Sequence, residues 1–314
     1  MAEIPLVSVV MITYNHEKYI QKAIEGVLMQ QCSFEVELII VDDNSPDKTE
    51  EIVKKIIEEH PNSSCIKYTK HNENKGMMPN FIWALQQTKS KYIALCEGDD
   101  YWTDPLKLQK QVDFLEANME YSLCFTAKSN IDINGVFINE SRYGHQENWI
   151  TKDVLNGSFI APTQTIVSKN LSNDLINFLA KFPDSTGGDK LYTYFYATKG
   201  KLKYIDANTA NYRVHSGGVW SGLNKKQQLI IHIREHLKFL EVVKKDKLHF
   251  KQLKRDMFRF ILTRLYFSFF KEPLKTVNNL SFILIKYKIA PIVFLLAGKD
   301  FSLYYIKLLQ SKFK

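Results

Sequence analysis

The chain has 314 residues, of which 45% are hydrophobic and 24% are charged. This balance excludes long disordered stretches and suits either one large domain with an appendage or two small domains. The formal net charge of +8 is unevenly placed, because residues 1–224 carry −6 and residues 225–314 carry +14. An anionic partner, lipid or nucleic acid, is therefore indicated for the C-terminal part alone, and a solvated basic helix face is the alternative.

Cysteine spacing and the N-terminal sequence indicate the compartment. The four cysteines lack zinc-ligand or C-x-x-C spacing and are expected to be buried and reduced. The N-terminus lacks the basic and apolar segments of a signal peptide, and the apolar stretch 283–296 is too short and too charged for a membrane span to be predicted. We expect a cytoplasmic protein, with peripheral attachment to the inner face of the cell membrane as an open alternative.

Predicted strands and helices alternate along the first hundred residues. Apolar, β-branched runs predict strands at Val7–Thr13, Val36–Val41, Cys65–Thr69 and Tyr92–Cys96. Helical spacing of apolar residues predicts helices at Glu17–Gln30, Asp47–Glu59 and Pro79–Gln87. This alternation predicts an α/β domain with a mostly parallel central sheet and right-handed crossovers.

The later elements are less regular. Asp104 and Pro105 predict the N-cap and first residue of a helix. Further elements are expected at Tyr121–Thr126 (strand), Leu171–Phe182 and Lys190–Thr198 (helices), and Leu202–Asp206 and Ala210–Val214 (strands). The Gly- and Ser-rich segment Ser216–Asn224 predicts a loop and a domain boundary. We therefore expect one α/β domain at residues 1–224 and a basic, amphipathic helical region at residues 225–314.

Polar clusters follow the four predicted strands of the first hundred residues. In chain order they are Thr13-Tyr14-Asn15, Asp42-Asp43-Asn44-Ser45, His71-Asn72-Glu73-Asn74-Lys75-Gly76 and Glu97-Gly98-Asp99-Asp100. Such residues often only cap helices or make turns. In an open parallel sheet, however, ligands bind at the carboxyl ends of the strands, so four clusters at one edge favour a binding site.

The cluster Glu97-Gly98-Asp99-Asp100 carries three carboxylates within four residues. Their mutual repulsion raises their pKa values and costs stability unless a cation offsets it. Hard oxygen ligands favour Mg²⁺ or Mn²⁺, which also bind phosphate oxygens. The alternative is a solvated acidic turn. Near the end of the predicted domain, His215 is a candidate third metal ligand, or a contact to the diphosphate together with Arg213, although a lone histidine is usually structural.

At this point the sequence resembles the family 2 inverting glycosyltransferases, which adopt the GT-A fold. The resemblance covers about residues 5–222. It rests on the segments Val7–Asn15, Ile39–Ser45 with Asp47 and Thr49, Asn74–Gly76, Glu97–Asp100, Gly188-Asp189, Tyr212–His215 and Gly217-Gly218. Glu97 stands where the family usually has the first aspartate of its D-x-D motif, and Gly188 stands where it often has an acidic residue.

The resemblance implies a role for each matching residue. Thr13 and Asn15 would line the nucleotide pocket, and Asp43, with Asp42 beside it, would bind the base, expected to be uracil. Asn74 and Gly76 would lie against the nucleoside or the diphosphate. Asp99 would bind the metal that bridges the diphosphate, and Glu97 would lie near the ribose or the metal. Asp100 would contact the donor sugar, and Asp189 would be the catalytic base.

The function expected from these features is inverting transfer of a sugar from a nucleotide-diphospho-sugar, expected to be a UDP-sugar, to an acceptor hydroxyl. Mn²⁺ or Mg²⁺ is the expected cofactor, and a saccharide or lipid-linked saccharide is the expected acceptor. Two alternatives stay open, a sugar nucleotidylyltransferase and a non-catalytic nucleotide-sugar-binding module. Aromatic and basic residues at 250–314 predict contact with a membrane surface, or else helices packed on the catalytic domain; no nucleic-acid motif accompanies the charge.

Overall fold

A computed structural model describes residues 4–144, 146–155, 159–218, 221–224, 227–228 and 231. Within them, the helices are α1 (Ile20–Leu28), α2 (Thr49–Glu59), α3 (Met77–Gln86), α4 (Lys107–Ala117), α5 (Thr151–Leu155), α6 (Ser172–Leu179) and α7 (Gly188–Ala197). The strands are β1 (Val7–Thr13), β2 (Val36–Asp42), β3 (Ile66–Lys70), β4 (Tyr92–Leu95), β5 (Tyr101–Trp102), β6 (Tyr121–Ile131), β7 (Phe137–Ser141), β8 (Asn148–Trp149), β9 (Val167–Lys169) and β10 (Lys201–Arg213).

One sheet runs through the described part of the chain in the order β3-β2-β1-β4-β9-β6-β10-β5, with β7 paired to β6 and β8 to β10. The longest pairings are parallel: β1 with β2 and β4, β2 with β3, and β6 with β10. The short strands β5, β8 and β9 and the hairpin strand β7 pair antiparallel. The predicted mostly parallel α/β sheet is confirmed.

The core lies on both faces of the parallel half of the sheet. Val9 and Ile40 are fully buried on the face that packs against α1 and α2, and their neighbours Val10 and Ile39, which point to the opposite face, are each only 2% exposed. Strands covered by helices on both faces read as continuous apolar runs, which is why β1, β2 and β4 were predictable from the sequence.

Several element boundaries differ from the predictions. Helix α4 begins at Lys107, because Asp104 makes a turn in which its Oδ1 accepts the Leu106 N–H (2.9 Å). The two short strands expected near the end of the domain form a single strand, β10, whose register on β6 shifts between Ile205 and Ala210. An irregularity of this kind interrupts the alternation that marks a strand in the sequence.

Residues Met1–Asn224 group into one compact unit. The basic region at 225–314 lies outside the described residues, except for Gln227, Gln228 and Ile231, so its predicted helical character and membrane contact stay predictions. None of the helices described is both long and apolar enough to cross a bilayer. Cys96 and Cys124 are buried and Cys32 and Cys65 are half-buried, all with free thiols.

Candidate functional site

The ends of the parallel strands are joined to one another by hydrogen bonds. The Asp43 N–H donates to the Thr13 carbonyl (2.9 Å), which links the β1 and β2 ends. The Asn15 N–H donates to Ser45 Oγ (2.9 Å). Asn15 and Asn44 adopt positive φ angles of 61° and 63°, a conformation that asparagine tolerates better than most residues. The two loops therefore form one continuous wall beside the sheet edge.

Asp42 and Asp43 are both buried, and each uses both carboxylate oxygens. Asp42 accepts the Ser45 N–H (2.7 Å) and the Tyr68 hydroxyl (2.9 Å). Asp43 accepts the N–H groups of Lys75 (2.7 Å) and Gly76 (2.8 Å). These two hydrogen bonds from the backbone to Asp43 hold the loop after β3 in place. Each carboxylate oxygen has a second lone pair that is able to accept a further hydrogen bond. Recognition of the base by Asp42 and Asp43 stays a prediction.

The loop after β3 places the predicted Asn74 and Gly76 at the same edge. Asn74 is exposed, and its Oδ1 accepts the Gly76 N–H (3.1 Å). Gly76 has φ 89° and precedes α3 directly, a conformation that residues with a Cβ rarely adopt. This conformation turns the Gly76 N–H toward the Asp43 carboxylate that follows β2.

Three carboxylates gather at the end of β4. Single ligand oxygens of Glu97, Asp99 and Asp100 all lie within 4.8 Å of one another. Asp100 is 1% exposed, and its Oδ2 is buried without a hydrogen-bond partner. Buried carboxylate oxygens normally have a partner, so the unpaired oxygen indicates a position where a cation or a substrate hydroxyl fits. These donors suit the predicted Mn²⁺ or Mg²⁺.

Gly98 is required by close packing at this point. A Cβ added there would lie 2.7 Å from Thr13 Oγ1 and 2.9 Å from His16 Nδ1. Its N–H donates to the Ile12 carbonyl (3.1 Å), which continues the β1–β4 pairing into the acidic cluster. The glycine thus lets the cluster lie directly against the end of β1.

Two imidazoles flank Asp99. His215 Nε2 lies 3.0 Å from Asp99 Oδ2, and His16 Nε2 lies 3.7 Å from the same oxygen. The ring of Tyr19 packs against His215 with centroids 4.9 Å apart. The structure therefore brings the predicted metal residue His215 to the carboxylates. His16 has no role assigned from the sequence, although it directly follows the first strand-end cluster.

Arg213 connects the acidic cluster to the β6–β7 turn. Its backbone N–H donates to Asp100 Oδ1 (2.8 Å), and its Nε donates to the Asp99 carbonyl (3.2 Å). Its Nη1 donates to the carbonyls of Asp132 (3.3 Å) and Ile133 (3.2 Å). Arg213 is 5% exposed, so it packs beneath the acidic cluster and does not face solvent. Its predicted contact with the diphosphate stays a prediction.

Burial and mutual repulsion dominate the electrostatics of the cluster. Burial, followed by the charges of Asp99 and Asp189, raises the pKa of Glu97 to about 8. Burial, followed by the charges of Asp99 and Glu97, raises the pKa of Asp100 well above its ordinary value. Burial also opposes ionisation of Asp99, but the His215 hydrogen bond and the charge of His16 outweigh it and lower the Asp99 pKa. Such a cluster favours a bound cation.

Lys128 is a further cation that the sequence did not single out. It lies on β6 beyond the predicted end of that strand, and its Nζ is 3.9 Å from the centroid of the Tyr212 ring. Burial lowers its pKa to about 8, although the charge of Asp100 opposes that shift. Lys128 therefore faces the acidic cluster from the second half of the sheet.

Asp189 lies in the first turn of α7, which begins at Gly188 rather than at the predicted Lys190. It is exposed, and its carbonyl accepts the Thr193 hydroxyl (2.7 Å). Its charge contributes to the raised pKa of Glu97, which places it on the same side of the sheet edge. An exposed carboxylate on this side of the acidic cluster is suited to accept a proton. The role of Asp189 as catalytic base stays a prediction.

Comparisons with known proteins agree with this architecture. Residues 8–174 match the family profile Glycosyl transferase family 2. An uncharacterized protein of Mycobacterium tuberculosis is 33% identical over 215 residues, which are 68% of this chain and 60% of the relative. The chain thus matches about three fifths of that relative's length. The Escherichia coli protein WfaP, named UDP-Glc:alpha-D-GlcNAc-diphosphoundecaprenol beta-1,3-glucosyltransferase, is 30% identical over 72% of this chain and 83% of its own.

Solved structures share the fold at low sequence identity. TarS of S. aureus in complex with UDP-GlcNAc is 18% identical, with a TM-score of 0.62 over 88% of this chain and 80% of that one. The mannosyltransferase PcManGT of Pyrobaculum calidifontis, in complex with GDP-Man and Mn2+, is 16% identical, with a TM-score of 0.55 over 99% and 83%. The match of the family profile to more than half of the chain, together with the strand-end clusters that it covers, shows that the chain belongs to glycosyl transferase family 2.

Proposed function

We propose that the protein transfers a sugar from a UDP-sugar to an acceptor hydroxyl by a single, inverting displacement. The observation that carries this proposal is the cluster of Glu97, Asp99 and Asp100 at the end of β4, beside the predicted nucleotide wall of β1 and β2. Asp99, Glu97 and His215 would hold a Mn²⁺ or Mg²⁺ ion, and Asp100 would meet the donor sugar. A bound ion would offset the negative charge that develops on the departing diphosphate.

The residues of the chain would supply the remaining chemistry. Thr13, Asn15 and the loop at Gly76 would position the nucleotide, which turns a bimolecular reaction into an oriented one. Asp189 would take the proton of the acceptor hydroxyl as that oxygen attacks the anomeric carbon. One direct displacement from the face opposite the leaving group inverts the anomeric centre.

Relatives support the choice of donor and acceptor. One structural neighbour was solved with UDP-GlcNAc, and the other with GDP-Man and Mn2+. The name of WfaP gives UDP-Glc as its donor and a diphosphoundecaprenol-linked sugar as its acceptor. We therefore propose a UDP-sugar donor and a lipid-linked saccharide acceptor, with the basic region 250–314 contributing peripheral attachment to the inner face of the cell membrane.

Release of UDP tests this proposal. The full chain with Mn²⁺ and a panel of UDP-sugars should release UDP, and Asp189→Ala should slow release at least about a hundredfold while leaving UDP binding intact. Asp99→Ala should remove metal-dependent UDP binding. Absence of UDP release from the wild type with every donor and acceptor would instead indicate a binding module, and unchanged UDP binding in Asp99→Ala would refute the metal assignment.

A further inference from the structure

The turn that joins β6 to β7 exposes large apolar side chains. The exposed fractions are 48% for Ile133, 61% for Val136, 62% for Phe137 and 49% for Ile138. We call these four residues the hairpin tip. Edge strands of proteins that meet only water usually carry charged or bulged positions, because exposed apolar edges associate. Four exposed apolar side chains within the six residues 133–138 exceed the single, scattered exposure that is normal for a protein surface, and so indicate a binding surface.

The turn is well ordered by its own hydrogen bonds. Asp132 Oδ1 accepts the N–H groups of Asn134 (2.9 Å) and Val136 (2.8 Å). The Asp132 N–H donates to the Val136 carbonyl (2.9 Å), and Gly135 completes the reversal with φ 85°. The hairpin tip is therefore displayed on a preformed turn, so contact with a partner does not have to order the backbone first.

The hairpin tip is directly connected to the candidate active site. Arg213 Nη1 donates to the carbonyls of Asp132 and Ile133, and the backbone N–H of the same residue donates to Asp100 Oδ1. A single buried residue thus joins the apolar turn, through its side chain, to the carboxylate cluster, through its backbone N–H. The turn that carries the hairpin tip thus lies within the length of one arginine side chain of the acidic cluster.

Charge helps to identify the partner. The segment 132–141 contains Asp132 and Glu140 and no Lys or Arg. Arg142, which follows this segment, is paired with Glu140 and Asp206. The turn therefore offers little attraction to anionic head groups, in contrast to the basic region at 225–314. The surface fits an uncharged apolar medium. A saccharide carried on a lipid brings such a medium next to the reacting sugar, since its hydrocarbon is embedded in the bilayer.

We propose that the hairpin tip inserts into the bilayer that holds the acceptor lipid and so places the cleft over the membrane surface. This inference rests on the proposed function only for the identity of the acceptor, because insertion itself requires no catalysis. A few side chains give modest, reversible binding, which lets the enzyme leave after a transfer.

Sedimentation of the full chain with vesicles of neutral phosphatidylcholine tests the inference. The hairpin variant combines Val136→Thr, Phe137→Thr and Ile138→Thr, since threonine keeps a high strand propensity. We expect its partition into the vesicles to fall about tenfold or more. Met119→Thr is the matched control: Met119 is 66% exposed and lies before β6 starts, at the opposite end of that strand. The control should partition like the wild type.

A second measurement gives a positive signal without weakening binding. Phe137→Trp should show a blue shift of its emission on neutral vesicles, relative to the wild type, and quenching by lipids with brominated acyl chains. Equal partition of the hairpin variant and the wild type, or absence of quenching, would overturn the inference. So would a wild-type dimer that the hairpin variant converts to a monomer without any vesicle binding, because the tip would then cover a second copy of the chain.

The two proposals fail in different experiments. Release of UDP from a UDP-sugar in the absence of vesicles reports on the donor site alone and should be the same for the hairpin variant and the wild type. Loss of vesicle binding with intact UDP release supports the docking surface. Vesicle binding by a wild type that releases no UDP would refute the proposed function and leave the docking surface standing.

Discussion

His215 Nε2 lies 3.0 Å from Asp99 Oδ2, although the two residues are 116 positions apart in the sequence. The hydrogen bond lowers the pKa of Asp99 against the effect of burial. Asp99 is therefore kept ionised among neighbours whose pKa values are raised. This makes Asp99 the member of the cluster best prepared to bind a cation before the substrate arrives.

Loss of this imidazole should weaken the metal site. In His215→Ala we expect kcat/KM for UDP release with Mn²⁺ to fall about 10- to 100-fold, since residues that ligate a metal or orient its ligands contribute on that scale. Steady-state kinetics at several Mn²⁺ concentrations check this. His60→Ala is the control, because His60 follows α2 and precedes β3, at the edge of the sheet where the parallel strands begin. Unchanged Mn²⁺ dependence in His215→Ala would contradict the assignment.

Cation affinity should increase with pH. Glu97, with a pKa raised to about 8, holds a proton at neutral pH that a cation must displace. Mn²⁺ binding to the nucleotide-free protein should therefore strengthen from pH 6.5 to 8.5, by up to about tenfold per unit where one proton is displaced. Calorimetric titrations at stepped pH measure this. Glu97→Gln should bind more weakly with a flatter pH dependence, and a flat profile in the wild type would refute the protonated state of Glu97.

Gly98→Ala should damage both stability and activity. Its Cβ would meet Thr13 Oγ1 at 2.7 Å and His16 Nδ1 at 2.9 Å, so the β1 and β4 ends would have to separate. We expect a loss of about 1–3 kcal/mol in the free energy of unfolding, together with weaker Mn²⁺ binding. Urea denaturation and metal titration measure the two effects. Gly144→Ala has open space around the new Cβ and should behave like the wild type.

Lys107 is a buried cation that the proposed chemistry does not use. Its Nζ donates to Gln111 Oε1 (2.7 Å) and lies 4.3 Å from the Trp102 ring centroid. Burial lowers its pKa from 10.5 to about 7. Between pH 7 and pH 10.5, Lys107 is protonated in the unfolded chain and neutral in the folded chain. Stability is therefore reduced below about pH 7 and recovers as the pH rises toward 10.5.

Lys107→Met should accordingly stabilise the fold at pH 7 by about 1–3 kcal/mol, and the gain should shrink by pH 9.5. Urea denaturation at the two pH values checks both parts. Lys110→Met, on the exposed face of the same helix, serves as the control and should change stability little at either pH. Destabilisation by Lys107→Met at pH 7 would show that the Gln111 hydrogen bond outweighs the cost of burial.

The local sequence was sufficient to predict where the polar clusters at the strand ends lie. The cluster at Glu97–Asp100 could be placed because β4 is a short, fully buried apolar run and because the carboxyl ends of parallel strands share one edge. The same reasoning placed Thr13 and Asp42, whose strands are buried on both faces. His16 also follows the end of β1, but a single histidine carries no periodic signal, so the sequence assigned it no role.

The sequence by itself determined the alternation of strands and helices in the first hundred residues and the residues at the strand ends, because burial on both faces produces a local apolar pattern. Only the tertiary structure decided that His215 and Arg213 reach the acidic cluster and that an apolar turn lies beside it. Those contacts depend on β10 lying between β6 and β5, with Arg213 at the end of β10 opposite the end of β6. Pairing between distant strands leaves no local periodicity, so the packing of the sheet is what brings these residues together.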